Sequence, residues 1–436
     1  LPRVGEHRED IAAIASRALG LPVSIGAIDG DWSRLRPRLH LNDVVVSDAE
    51  GRPALSLPRI DASFSWMSLL RLSPYFSRLE IRSPTLAVRR DADGSLFVAG
   101  LRVGTEAGGS GTLDWLLRQG QIVIRDASVS WDDALRGAPG LQLQHLEFRL
   151  QRHFGVHRFA LLAQPPAELA STLDLRGELR RLSADEPLRA AGRLYLSLDR
   201  ANLGGWRPWV DYPLPLQGEG ALRAWVDFGE QPATQPRAVS VTADVALNAV
   251  NTRLGERLPE LRLSHLVGRL SASRRADGFD VGTRQLALET GDGLRVVPTD
   301  FSLQVRHASD GRMLQGNLRA TRLDFAALAA LAAYLPFDDA VRAGLAGFDP
   351  RGELSGLRLE WQGDATAPES WSLAGDFARM GVAARDGLPG LGGMSGHIEG
   401  NERGGRYRID SRDAHVDLPQ VFESSMLSFA ALRAEG

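Results

Sequence analysis

The chain has 436 residues, 43% of them hydrophobic, and a formal net charge of -3. That is enough apolar material for a large buried surface, and no basic stripe runs along the sequence to follow a nucleic-acid backbone. There is no cysteine, and all 51 basic residues are arginine, which excludes thiol nucleophiles, Cys-type zinc sites, a Walker A lysine and Schiff-base chemistry.

The first element is a helix. Ile11, Ile14, Ala15, Ala18 and Leu19 recur at helical spacing, Glu6, Glu9 and Asp10 are expected in its first turn, Arg17 sits near its end, and Gly20 and Pro22 stop it. It is expected either to pack on the body or to cap the end of a groove. After Pro22 the period changes to two. Alternating runs follow at Leu79–Arg82, Leu86–Arg89, Ile122–Arg125, Leu141–Leu143, Leu146–Leu150, Leu173–Arg176, Val239–Thr242, Phe301–Arg306 and Leu357–Trp361. This is the pattern of sheets with one apolar and one wet face. Turn signals separate them at Asp93-Gly94, Pro139-Gly140, Asp277-Gly278, Asp292-Gly293 and Asp310-Gly311.

Short helical connectors interrupt the strands at Trp66–Leu70 and Leu113–Leu117. Two longer ones match each other: Leu198-Asp199 through Trp206 and Trp209 to Gly218, and Leu323-Asp324 through Leu328, Leu331 and Leu335 to Gly352. Asp324 is placed as an N-cap. Repetition of a strand–connector–strand unit predicts a mostly β, elongated, one-dimensional body rather than a globule. Residues 1–22 form the helical cap, 23–105 a first β segment, and 106–436 the repeated body. The longest apolar run, Phe325 to Phe337, is too short to span a bilayer and contains Pro336.

No catalytic, cofactor or metal site emerges. His153 and His157 have a ligand-like spacing but no third ligand nearby. Asp91-Ala92-Asp93-Gly94 opens like a calcium loop, yet the twelfth position is Arg102, so it reads as a hairpin turn. Gly108 to Thr112 reads as a flexible loop, and Asp132-Asp133 and Asp338-Asp339 as turn or helix-start residues. The tryptophans sit at connectors (Trp66, Trp115, Trp206, Trp209) and in strands (Trp131, Trp225, Trp361, Trp371), where they suit core junctions or lipid contact.

Several stretches resemble the AsmA-like proteins of YhdP type. They are Leu19 to Gly26 with Trp32, Arg36 to Val44, Ala54 to Asp61 with Ser65 to Leu70, and above all Ser77 to Ile81, Pro84 to Leu86 and Arg89 to Gly94. Gly390 to Gly396 and Asp410 to Pro419 carry the likeness toward the other end. The resemblance implies a mostly β fold, an elongated, twisted antiparallel sheet curled into an open groove, and with it a Gram-negative periplasmic body, anchored in the inner membrane by a helix preceding Leu1, along which phospholipid moves toward the outer membrane. It also implies a fragment of a longer protein, partner proteins in the periplasm or outer membrane, and no active site.

The residues agree with this on physical grounds. An open aliphatic face needs a partner, and an acyl chain is a suitable one: exposing about 16 methylenes to water costs on the order of 13 kcal/mol. Ile81, Val88, Ile122, Ile124, Leu141, Leu143, Leu303 and Val305 are the expected groove-lining positions; a one-residue register error would reverse the face. The competing expectation is a periplasmic structural or assembly scaffold whose apolar face is a closed β core. A β-solenoid enzyme acting on polysaccharide would need clustered acids that the sequence does not assemble.

Overall fold

The computed structural model describes residues 7–19, 22–33, 36–47, 53–64, 75–98, 101–103, 115–182, 189–212, 214–229, 238–385, 388–419 and 425–436. The described residues are mostly strand. The chain divides into two units, Leu1–Asp211 with Ala221–Gln235, and Tyr212–Gly220 with Pro236–Gly436.

The first unit opens with helix α1 (Arg8–Leu19), with Glu9 and Asp10 in its first turn and Arg17 in its last. Its stripe is narrower than the periodicity suggests. Ile11 and Ala12 pack against a buried cluster that includes Ile25, Leu39, Val44, Leu57, Ile60 and Leu79, whereas Ile14 is 48% exposed. The Ser16 hydroxyl accepts the Val23 N–H at 2.8 Å, fastening the helix end to the first strand.

Strands β1 (Val23–Ser33), β2 (Arg36–Ser47), β3 (Pro53–Phe64) and β4 (Phe76–Arg82) pair in order, antiparallel. After β5 (Thr85–Arg90), β6 (Leu96–Val98) and β7 (Leu101–Val103), the sheet resumes through β8 (Gln121–Asp133), β9 (Ala138–His153), β10 (Val156–Gln164), β11 (Thr172–Arg180) and β12 (Ala191–Asn202). One seam is parallel: β4 lies beside residues 122–125 of β8 and β5 beside residues 128–133. Period-two alternation is the same in either direction, so sequence did not distinguish this seam from the antiparallel rest. β4 and β5 act as one strand broken at Ser83 (φ 47) and Pro84, facing the break in β8 at Asp126 (φ 52). Pro84 has no N–H to lose there, and its carbonyl accepts Ser128 N–H at 3.0 Å. The Asp93-Gly94 turn forms as expected, with Ser95 N–H bonded to Asp93 Oδ1 at 2.8 Å. Pro139-Gly140 lies inside β9 instead; the turn comes at residues 134–137.

The division between units falls within β13 (Leu216–Phe228). The second unit is otherwise an antiparallel meander. It runs through β14 (Val239–Thr252), β15 (Leu261–Arg275), β16 (Gly278–Thr290), β17 (Arg295–His307) and β18 (Met313–Asp324). Helices α2 (Phe325–Leu331) and α3 (Asp339–Phe348) interrupt it before β19 (Arg351–Asp364), β20 (Ala367–Val382), β21 (Gly390–Asn401), β22 (Gly404–Asp417) and β23 (Met426–Glu435). Each strand from β14 to β23 pairs with the next, and among the described residues no pairing joins β23 to β14. Asp324 caps α2 by accepting Ala327 N–H, and Asp338 caps α3 by accepting Val341 N–H. The connector at Trp66–Leu70 and the loop 108–112 lie outside the described residues.

Candidate functional site

Directly opposed residues in a β ladder share a face, so the registers assign every side chain in the second unit to one side. Val241 faces Ala272, which faces Val281, then Leu303, Leu318, Leu359, Leu373 and Gly400. A neighbouring row runs Leu270, Thr283, Phe301, Ala320 and Leu357. Ile398, Tyr407 and Ile409 continue the same face toward β23, where Leu427 and Phe429 complete it. The opposite face carries Asp244 paired with Arg269 at 2.5 Å, Arg319 with Glu360 at 3.3 Å, and His397 with Asp376 at 2.7 Å.

The apolar face is not covered like a core. Val241 is 37% exposed, Phe279 37%, Val281 41%, Ile398 38% and Tyr407 46%. Most of the remaining aliphatic positions are half-buried by lateral neighbours. Fully buried positions, such as Leu247, Val250, Leu261 and Leu263, concentrate toward one end of β14 and β15. Trp361 and Trp371 face each other on this side. Gly316 seats the Trp361 ring, because a Cβ there would lie 1.9 Å from it.

A row of bulges keeps this face continuous. Ala249 (φ 48), Gln285 (φ 50), Arg379 (φ 50) and Asp413 (φ 56) adopt left-handed backbone within strands, and the registers shift beside Gln285 and Arg379. In β14 the buried side is Val245, Leu247 and then Val250, so the extra residue re-aims the strand without turning its aliphatic side to water. Side chains from the next strand satisfy the displaced amides. Gln285 N–H donates to Asp300 Oδ1 at 2.7 Å, Asp300 N–H to Thr321 Oγ1 at 3.0 Å, Arg379 N–H to Ser395 Oγ at 3.0 Å, and Ser395 N–H to Ser411 Oγ at 2.8 Å. In the first unit Asp126 N–H donates to Glu147 Oε1 at 3.1 Å in the same manner.

All eight expected positions fall on the apolar side of their own unit's sheet. Ile122 pairs with Leu79 and Leu150, and Ile124 with Ile81 and Phe148. Val88 and Leu141 both face Trp131, and Leu143 faces Val129. Leu303 lies between Val281 and Leu318, and Val305 between Phe279 and Gly316. Their exposures differ: Ile122, Leu141 and Val305 are buried, and Ile81, Val88, Ile124, Leu143 and Leu303 are half-buried. In the first unit α1 closes the β1–β4 part of this face. Phe279, Trp371, Ile398 and Leu427 belong to the face but were not among the expected positions. For Trp361 and Trp371 the sequence predicts strand positions suited to core or lipid contact, and both lie on this face.

Chemistry-bearing groups are structural where described. His157 is buried, its Nε2 2.9 Å from the Leu117 carbonyl, which docks the 115–118 helical turn on the sheet. Asp133 is held by Arg90, whose hydrogen bonds keep its carboxyl below the usual range despite burial. Glu80 is pushed up by burial, but hydrogen bonds from Arg78 at 2.6 Å and Arg125 at 2.9 Å prevail and hold it below its ordinary value. A cleft of about 490 Å³ lies on the polar face, lined in part by Gln304, Arg306, Asn317, Glu360 and Gln362. Arg306 there is engaged by Asp280 at 2.7 Å. Among the described residues no three His, Asp or Glu side chains converge as a metal site, and no helix is long and apolar enough to cross a membrane.

The family model described as YhdP protein matches residues 1–435. The chain belongs to the YhdP family. No curated protein and no solved structure matches it. For this YhdP-family chain the apolar sheet face, rather than a cluster of reactive side chains, is therefore the candidate site.

Proposed function

We propose that the chain is a non-enzymatic, lipid-handling protein of the Gram-negative envelope, and that the apolar sheet face is a track for phospholipid acyl chains passing between inner and outer membrane. The observation that carries the reading is the second unit's face, aliphatic from β14 to β23 yet one-third to one-half exposed at Val241, Phe279, Val281, Ile398 and Tyr407. Monomeric proteins rarely leave so much contiguous apolar surface without a partner. Acyl chains fit because the wall offers aliphatic and aromatic contact with few hydrogen-bonding groups, so tails are shielded without being fixed in place. Membership of the YhdP family supports the envelope setting.

The scaffold reading retains one supporting observation: beneath α1 the face is a closed cluster, with Ile25, Ile28, Leu57 and Ala62 all buried. In this proposal the track is the second unit's face, and the closed cluster beneath α1 belongs to the first unit. Lipid extraction and native mass spectrometry of protein purified without detergent test the reading. Copurifying phospholipid is the expected result, and a stable, monomeric, lipid-free protein would overturn it.

A further inference from the structure

The hairpin joining β9 to β10 has a two-residue turn, Phe154-Gly155, with both φ values positive, 45 and 76. That geometry favours Asn-Gly or Asp-Gly, because short polar residues and glycine tolerate left-handed backbone and a bulky aromatic does not. At the Asp93-Gly94, Asp292-Gly293 and Asp310-Gly311 turns the positive φ falls on the glycine, at 86, 91 and 85. Phe154 gains nothing from burial in exchange: it is 93% exposed, and its ring meets that of His153, 4.3 Å away edge-on. The fold therefore holds a large apolar side chain in water at a position where a smaller polar residue would serve it better.

The surroundings of the tip are cationic. The strand ends and connectors that converge on it carry Arg118, Arg152, Arg158 and Arg180, all exposed. Arg152 N–H bonds the Gly120 carbonyl, and Val156 pairs with Arg180, which brings these segments together. Against them stands Glu178, shared by Arg158 at 2.9 Å and Arg180 at 3.8 Å. Arg118 and Arg152 have no carboxylate partner among the described residues.

We propose that this tip is a membrane-docking element for anionic phospholipid bilayers: Phe154 enters the headgroup region and the arginine collar engages lipid phosphates. An exposed aromatic ringed by arginine has the two components that hold a protein on such a surface, apolar insertion and attraction to negative headgroups. The inference rests on the tip itself and stands apart from the lipid-track reading.

Because the chain has no cysteine, Phe154→Cys provides a single site for an environment-sensitive fluorophore. Vesicles of phosphatidylethanolamine and phosphatidylglycerol are expected to shift its emission to the blue, and phosphatidylcholine vesicles are not. Phe154→Asn creates the favoured Asn-Gly turn, so its Tm should be unchanged or higher, while the vesicle-bound fraction falls by about tenfold. Arg152→Gln should weaken binding to the anionic vesicles only. Binding by Phe154→Asn equal to that of the unaltered protein, equal binding to neutral vesicles, or a probe that responds only to a second copy of the chain would overturn the proposal. Lipid extracted from the same variants should be unchanged, so failure here and failure of the lipid track are separately visible.

Discussion

Arginine placed on the apolar face distinguishes an open track from a closed core. Val281 is 41% exposed and faces Ala272 and Leu303. Full burial of a valine is worth about 1.5–3 kcal/mol, so the roughly three-fifths realised here contributes about 1–2 kcal/mol. In Val281→Arg the arginine stem recovers part of that by lying along the wall, and its guanidinium reaches water. The net cost should stay near 1 kcal/mol, within a typical stability margin of about 5–15 kcal/mol. Leu247 lies on the same face but is 2% exposed, opposite Leu266. Leu247→Arg loses nearly the whole leucine contribution and buries an unpaired charge, costing upward of about 5 kcal/mol. Thermal unfolding and extracted lipid should be measured on both variants. The expected outcome is a folded Val281→Arg protein with reduced lipid and a Leu247→Arg protein that is unfolded or not recovered. If Val281→Arg unfolds as Leu247→Arg does, or folds and keeps its full lipid load, the track reasoning fails.

Three further outcomes follow from the geometry. Ser411 is 1% exposed and bonds both the amide and the carbonyl of Ser395; Ser411→Ala should cost about 1–3 kcal/mol and speed hydrogen exchange at the Ser395 amide, as expected for an orphaned buried donor. Gly316→Ala forces a Cβ against the Trp361 ring and should destabilise by about 1–3 kcal/mol through overpacking, read by chemical denaturation. The lowered pKa of Glu80 makes the arginine cluster around it stabilising above the unfolded-state value of 4.5 and progressively less so as pH falls through the folded-state pKa; Glu80→Gln should flatten that acid limb of the stability–pH curve.

Alternation in the sequence was sufficient to identify the sheet class, the apolar side of Ile81, Ile122, Leu303 and Val305, and the helix before Pro22, because burial of one sheet face imposes period two on any strand. Caps were legible for the same local reason: Asp324 needs only its own helix start. Tertiary structure alone decided three things. It made β4 and β5 run parallel to β8, which alternation cannot encode, and it placed α1 over the β1–β4 cluster through Ile11 and Ala12. It also set exposure along the face: Val305 at 3% and Val281 at 41% share one pattern and one side of the sheet. The physical reason is that periodicity reports only which side a residue takes. How deeply it is buried depends on bulges at Ala249, Gln285 and Arg379, on a tryptophan seated over Gly316, and on whether another layer lies above, all of which involve residues distant in sequence.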